Sequence, residues 1–301
     1  MNNILVVGSI NMDMVIHTPR LPLLGETITG SGFATVPGGK GANQAIAAAR
    51  SGGAVKMIGA VGSDLYAGTL VEHLKANGVG CEGVSRVEGS TGIAVITVCG
   101  GDNHIILEKG ANAALTPERI DGYAELFRWA DIVVMQLEIP FETVLHAAKL
   151  ARQCGAKVLL NPAPARPIDG LLDYVDILIP NQYEAEGITG CNDPEESLRW
   201  FLNRGVEQVV ITLGGDGCVY NEGEKICRHG IYETKVTDTT AAGDGFIGGF
   251  CTTLCDDSPV EKAVSYATAV SAITVSRDGA SVSLPMQQEV EDFLKSIQKE
   301  Q

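Results

Sequence analysis

Apolar runs of strand length recur along the chain, with helix-like segments between them. ILVVG from Ile4, VKMIGAVG from Val55, DIVVMQLE from Asp131, KVLLNP from Lys157, VDILIPN from Val175 and QVVITLG from Gln208 are almost continuously hydrophobic. Runs of this kind suit strands covered on both faces, as in a parallel sheet. Between them lie GANQAIAAARSG, residues 67–77, FETVLHAAKLARQCG and PEESLRWFLNRG, which predict helices, several of them closing at Gly or Asn. The alternation predicts an α/β fold, a doubly wound and mostly parallel sheet with helices on both faces.

Two stretches break the rhythm. Residues 15–36 and 91–108 alternate apolar and polar positions, and the second contains the turn CGGDN, so both predict antiparallel hairpin strands. Ligands of open α/β sheets bind at the carboxyl ends of the strands. A small β-sheet lid over that end, from about residues 14–36 and 91–110, is therefore expected within a single α/β domain spanning residues 1–301. Ordinary surface hairpins would show the same pattern.

Composition narrows the partners. The 301 residues carry 22 basic and 37 acidic side chains, a net charge of −15, which repels nucleic-acid backbones and anionic membrane surfaces. An anionic substrate would have to be met locally, by helix N-termini, a metal and a few basic groups. The eight cysteines form no C-x-x-C pair, and Cys251 and Cys255 read as small buried hydrophobes on a helix. MNNILVVGSI has no basic start and too short an apolar segment for a signal core or a span, so a cytoplasmic location is expected.

The candidate chemistry starts at TDTTAAGDGFIGG. GDGFIG fits the spacing of a dinucleotide-binding turn, but no buried strand ends at its first glycine and a helix pattern fills the place of the second strand. In a chain with 36 glycines the match is a coincidence of spacing, and a nicotinamide oxidoreductase has no other support. FIGGFCTTLC instead reads as a helix with Phe246, Phe250 and Leu254 on one stripe, so Ala-Ala-Gly-Asp forms its first turn. Free N–H groups there would face an anion, and Asp244 could take a proton from a nucleophile attacking it. Alone, Asp244 is equally explained as a complement to the helix dipole.

Other segments add polar groups. PGGKGANQA places Lys40 and Asn43 after two glycine-only turns, without the Ser or Thr of a P-loop. GSINMD puts Asn11 and Asp13 on one side of an extended segment, a pair suited to vicinal hydroxyls. Glu138 follows the strand IVVMQ, and Asn181 and Glu184 follow VDILI, where carboxylates suit hydroxyls or magnesium-bound water. NPAPARP reads as a rigid structural loop, and none of the histidines has a motif.

Taken in order, GSINMD, PGGKGANQA, QLE, NPAPAR, PNQYEAE, ITLGGDG, DTTAAGDGF and SRDGASVSLP resemble the ribokinase-like carbohydrate and nucleoside kinases, nearly end to end. The resemblance implies that Asn11, Asp13, Gly39, Lys40, Gly41, Asn43 and Glu138 hold a pentose. It implies Asp244 as general base, with an anion hole of backbone amides at Ala241, Ala242 and Gly243. Asn181, Thr212, Gly214, Gly215, Asp216, Gly217 and Gly243 would line an ATP site, and Glu184 would order Mg2+ through water. A monovalent cation, K+ in this class, would sit at Asp238, Thr240, Thr274, Arg277, Gly279 and Ser283, mostly on backbone carbonyls. The lid strands resemble those through which such kinases pair as homodimers.

Two positions depart from the family pattern. Gly245 stands where relatives carry Thr, Ala or Ser, an expected loosening of the first helical turn, and Thr268 stands near the adenine pocket where one type of relative carries His. The expected activity is phosphorylation of D-ribose at its 5-hydroxyl by ATP. The alternatives are deoxyribose, another sugar or a nucleoside as acceptor, or a catalytically silent sugar-binding module. A nucleoside would call for a more aromatic lid than one with Phe33 alone nearby.

Overall fold

The computed structural model describes residues 2–100, 102–254 and 258–300, with the backbone alone at 102 and 298–300. Its strands are β1 (Asn3–Val7), β2 (Asn11–His17), β3 (Ser31–Gly38), β4 (Ala54–Val61), β5 (Val79–Arg86), β6 (Gly92–Cys99) and β7 (Asp102–Glu108) in the first part of the chain. β8 (Ile132–Met135), β9 (Lys157–Leu160), β10 (Ile177–Leu178), β11 (Gln208–Thr212), β12 (Cys218–Glu222) and β13 (Lys225–His229) follow. The helices are α1 (Lys40–Arg50), α2 (Leu65–Ala76), α3 (Pro117–Asp121), α4 (Ala124–Trp129) and α5 (Phe141–Gln153). They continue as α6 (Gln182–Thr189), α7 (Pro194–Leu202), α8 (Ala242–Thr253), α9 (Val260–Val275) and α10 (Gln287–Glu300).

The main sheet has nine strands in the order β13-β12-β11-β10-β9-β8-β1-β4-β5. All its pairings are parallel except β11–β12 and β12–β13. Its centre is fully apolar: Leu5, Val6, Val133, Val134, Leu159, Leu160 and Val210 are buried, as the continuous runs require. Helices pack on both faces and divide the core into two large clusters. Pro180 and the buried Asp176, which accepts from Val158 N and pairs with Arg152, shorten the VDILI run to a two-residue strand. The edge strands β5 and β13, and β12 beside β13, lie outside the apolar-run pattern because polar residues and glycines interrupt it.

The second sheet has four strands in the order β3-β2-β6-β7. β2 pairs antiparallel with β3 and parallel with β6, and β6 pairs antiparallel with β7, so both irregular segments meet in one lid. Gly101 of the CGGDN turn and Cys255 lie outside the described residues. Phe33 on the edge strand β3 and Ile105 and Ile106 on the opposite edge strand β7 are exposed at 66%, 56% and 72%.

α1 and α8 bring the site together. α1 is buried from Gly41 through Ala48, and Gly248 of α8 lies against it so closely that a Cβ would stand 2.4 Å from Ala47 Cβ and 2.6 Å from Ala48 N. At the far end of α1, Arg50 donates to Ser281 O and Leu284 O at 3.0 and 2.5 Å. Overpacking a close contact of this kind typically costs about 1–3 kcal/mol. Gly248→Val is therefore expected to lower the unfolding free energy by that amount, seen as a lower urea midpoint with an unchanged m value in equilibrium unfolding.

Candidate active site

The floor of the site is built where β1 ends and α1 begins. Gly39, at φ 93°, caps α1, and a Cβ there would stand 2.8 Å from Asn11 N; at Gly41 it would stand 2.6 Å from Ser9 N. A Cβ on Gly38 would fall 2.1 Å from Asp13 Oδ2. The glycines of PGGKG thus let the α1 turn lie directly on residues 8–13, which places Asn11, Asp13 and Lys40 together. Glu138, following β8, closes the floor: its Oε2 accepts from Ser9 Oγ at 2.5 Å and from Lys40 N at 3.2 Å. Ser9 Oγ in turn accepts from Gly41 N. Sequence reasoning passed over Ser9, which looked like one more small residue in a turn.

Asp244 stands in the first turn of α8, 7% exposed. Asn43 Nδ2 donates to its Oδ2 and Gln44 Nε2 to its Oδ1, both at 3.0 Å. Gln44 also donates to Asn161 Oδ1 and accepts from Gln136 Nε2 at 2.6 Å, while Asn161 Nδ2 donates to Ile179 O. The backbone carbonyl at Ile179 fixes which end of Asn161 donates, and Asn161 then fixes Gln44, whose contact to Asp244 is an N–H donor. Gln44, Gln136 and Asn161 were not singled out from the sequence. The available signal was an amide in an alanine-rich, wholly buried helix, and NPAPARP supplies a site residue as well as a rigid loop.

Ala241, the N-cap of α8, has φ 60° and is the one non-glycine residue with positive φ among those described. Left-handed backbone costs an L-residue about 1–2 kcal/mol and concentrates at functional sites. Ala242 N lies 3.3 Å from Thr239 O, while Gly243 and Asp244 begin a helix whose first N–H groups have no intrahelical acceptor. A Cβ on Gly245 would meet side-chain atoms of Leu284, Thr274 and Val270 at 3.1–3.2 Å, so a larger residue there would need those neighbours to give a little.

Two cavities share this turn, and a third lies at the Asn11–Glu138 floor. The floor cavity, about 300 Å3, is lined by Asn11, Asn112, Glu138, Lys109 and Arg166. Of the two at the turn, one of about 230 Å3 is lined by Lys40, Asn161, Asn181, Glu184, Thr212 and the 241–244 turn. The other, about 260 Å3, takes Thr212, Gly214, Gly215, Gly217, Gly243, Phe246 and Thr268. Asp216 is exposed and outside these linings, whereas Gly217, at φ 83°, has no room for a side chain against His229 O.

Asn181 and Glu184 form a capping box at the start of α6, each side chain bonding the other's backbone N–H. Asp238 accepts from Thr240 N, Thr240 Oγ1 and Gly279 N, and Thr237 N and Asp238 N both reach Val275 O. Burial opposes the Asp238 charge, but those donors outweigh it and hold the carboxyl below its usual range. Thr274 Oγ1 is spent on Val270 O, Ser283 Oγ on Ala280 O, and the Arg277 guanidinium turns away to Glu289.

The floor is crowded with acid. Burial opposes the charge of Lys40, but Asp244, Glu138 and Glu184 outweigh it and raise its pKa. Burial is also the main cause that raises Glu184. Asp13 is pushed from 3.8 to about 7 by burial and by the charges of Glu138 and Asp244. An acid raised in the folded state binds more protons there than in the unfolded chain, so stability falls as pH rises through that window and the loss is complete above it. Asp13→Asn is expected to match the native melting temperature near about pH 4 and exceed it near about pH 8, measured by thermal scans without ligand.

The pfkB family of carbohydrate kinases matches residues 1–287. Ribokinase of Lactococcus lactis subsp. lactis is 39% identical over 300 residues, covering 99% of each chain. Deoxyribokinase of Salmonella typhimurium is 34% identical, covering 97% of this chain and 98% of its own. Arabidopsis thaliana ribokinase, solved with ribose and ATP, superposes with a TM-score of 0.91 at 33% identity, covering 98% of this chain and 99% of that one. With the doubly wound sheet, the lid and the Asp244 turn in place, the chain belongs to the pfkB family of carbohydrate kinases.

Proposed function

We propose that this kinase transfers the γ-phosphoryl group of ATP to the 5-hydroxyl of D-ribose, giving ribose 5-phosphate and ADP. The observation that carries the reading is the place of Asp244. It sits where the cavity of Lys40 and the α8 turn meets the floor that holds Asn43 and Gln44, with two N–H donors fixing its carboxylate. In this reading it takes the proton of the 5-hydroxyl as that oxygen bonds to the γ-phosphorus. The bond to the bridging oxygen breaks, and ADP leaves with the electron pair. N–H groups of the 241–243 turn and the Lys40 ammonium meet the charge that develops on the transferred group.

Asn11, Asp13, Gly39, Lys40, Gly41, Asn43 and Glu138 are assigned to the sugar. Asn43 supports the assignment directly, because its Oδ1 is buried without a partner among the described residues while its Nδ2 is spent on Asp244. A sugar hydroxyl supplies the donor that this oxygen lacks. ATP is assigned to the two cavities beyond, its base among Phe246, Thr268 and the 214–217 turn. The deoxyribokinase likeness makes 2-deoxyribose the competing acceptor.

The oxygen donors fit the ions of this reading. Glu184, lining the cavity of Lys40, would hold Mg2+ through water. Asp238, Thr240, Thr274, Gly279 and Ser283 would surround K+, with backbone carbonyls rather than the engaged hydroxyls and Arg277 side chain as ligands. When bound, Mg2+ would supply charge neutralisation for the phosphates, and K+ would order the loop bearing Ala241. The exposed apolar lid residues support pairing of two copies through the lid.

ADP formation from ATP and magnesium with D-ribose, 2-deoxyribose, fructose and adenosine tests the acceptor. Ribose is expected to be preferred, and silence on all four would favour a binding module. Replacing potassium by a large organic cation is expected to slow the reaction. Asp244→Asn is expected to lower kcat by about 10²–10⁴ with ribose binding retained in a calorimetric titration, and unchanged turnover would remove Asp244 as the base. Gln44→Met, which deletes one of its two donors, is expected to lower kcat by about tenfold with a smaller effect on KM.

A further inference from the structure

Asn112 lies in the 3-10 turn Gly110–Ala114 that follows β7, and nothing in the sugar-kinase reading uses it. It is 1% exposed, and it lies against Asn11, itself 3% exposed. Ile10 N donates to Asn112 Oδ1 at 2.9 Å. A backbone N–H can only donate, so the oxygen of this amide is fixed toward Ile10 and its NH2 toward the other side. That NH2 donates to Asn11 Oδ1 at 2.7 Å and to Ile10 O at 3.3 Å. Asn11 accordingly spends its oxygen on Asn112. Its own NH2 has no partner among the described residues, and Asn11 lines the 300 Å3 cavity beside Glu138.

The pair is tightly enclosed, and Ile10 N alone sets its polarity. Gly92, the first residue of β6, lies across both amides, and a Cβ there would stand 2.2 Å from Asn112 Nδ2 and 2.3 Å from Asn11 Oδ1. We infer that Asn112 is a positioning residue that sets the polarity of Asn11, so that the site presents an N–H donor at this point and selects a sugar whose hydroxyl accepts there. The inference rests on the assignment of Asn11 to the sugar. A pentose lacking that hydroxyl would leave a desolvated NH2 unpaired, which sites built around a hydroxyl reject strongly.

Asn112→Asp separates this role from simple bracing. The new carboxylate still accepts from Ile10 N but has no hydrogen to give Asn11, whose amide then turns its NH2 inward and its oxygen to the cavity. The measurement is kcat/KM for D-ribose and 2-deoxy-D-ribose, with the second sugar also titrated as an inhibitor of the first. Ribose is expected to lose at least about tenfold and deoxyribose less than about threefold, so that the preference collapses. Equal losses on both sugars would show a purely structural role and overturn the inference. If that variant does not fold by circular dichroism, Asn11→Asp asks the same question with Asn112 intact. Collapse of the ribose preference supports the donor role, and a retained preference overturns it. An unaltered enzyme that phosphorylates neither pentose would instead remove the assignment on which the inference rests.

Discussion

A carboxylate withdrawn from water must be met by N–H donors, and at Asp244 both side-chain donors come from one helix. Asn43 and Gln44 are adjacent in α1, so the acid of α8 can be held only if the two helices approach closely. Gly248 permits that approach. Gln44 would also drift without Gln136 and Asn161, which tie it to strands β8 and β9 of the main sheet. The geometry of one side chain thus reaches into the core of the domain, where packing leaves no slack.

Around this contact the protein concentrates negative charge. Asp13, Glu138, Glu184 and Asp244 act on one another and on Lys40. Lys40 and the N–H groups of the α8 turn line one cavity together with Glu184 and Asp244, so positive and negative groups face each other across it. Burial and mutual repulsion together hold Asp13 near neutrality, which allows it to give a hydrogen bond as well as to receive one.

Much of this was legible in the sequence. The six parallel strands declared themselves as unbroken apolar runs, and the lid as two alternating segments out of rhythm with them. The motif residues Asn11, Lys40, Glu138, Asn181 and Asp244 stood out because glycines and strand ends framed them. What escaped notice shares one property: Ser9, Gln44, Asn112, Gln136 and Asn161 act on other side chains across long separations in the chain. No local spacing encodes such partners, and only the folded backbone brings Gln44 to Gln136 or Asn11 to Asn112. The strands β5, β12 and β13 are missed for a simpler reason: they lie at or next to the sheet edges, where polar residues and glycines interrupt the apolar run.

α1 is a short rod with duties at both tips. Its first residues bring Lys40 to the cavity and Asn43 and Gln44 to Asp244, and its last residue, Arg50, grips the carbonyls of Ser281 and Leu284. Every residue between Gly41 and Ala48 is buried, so the rod has no yielding point along its length. A push at the floor of the site and a pull at the 279–284 loop therefore act on one rod, and the two regions share a single stiff axle.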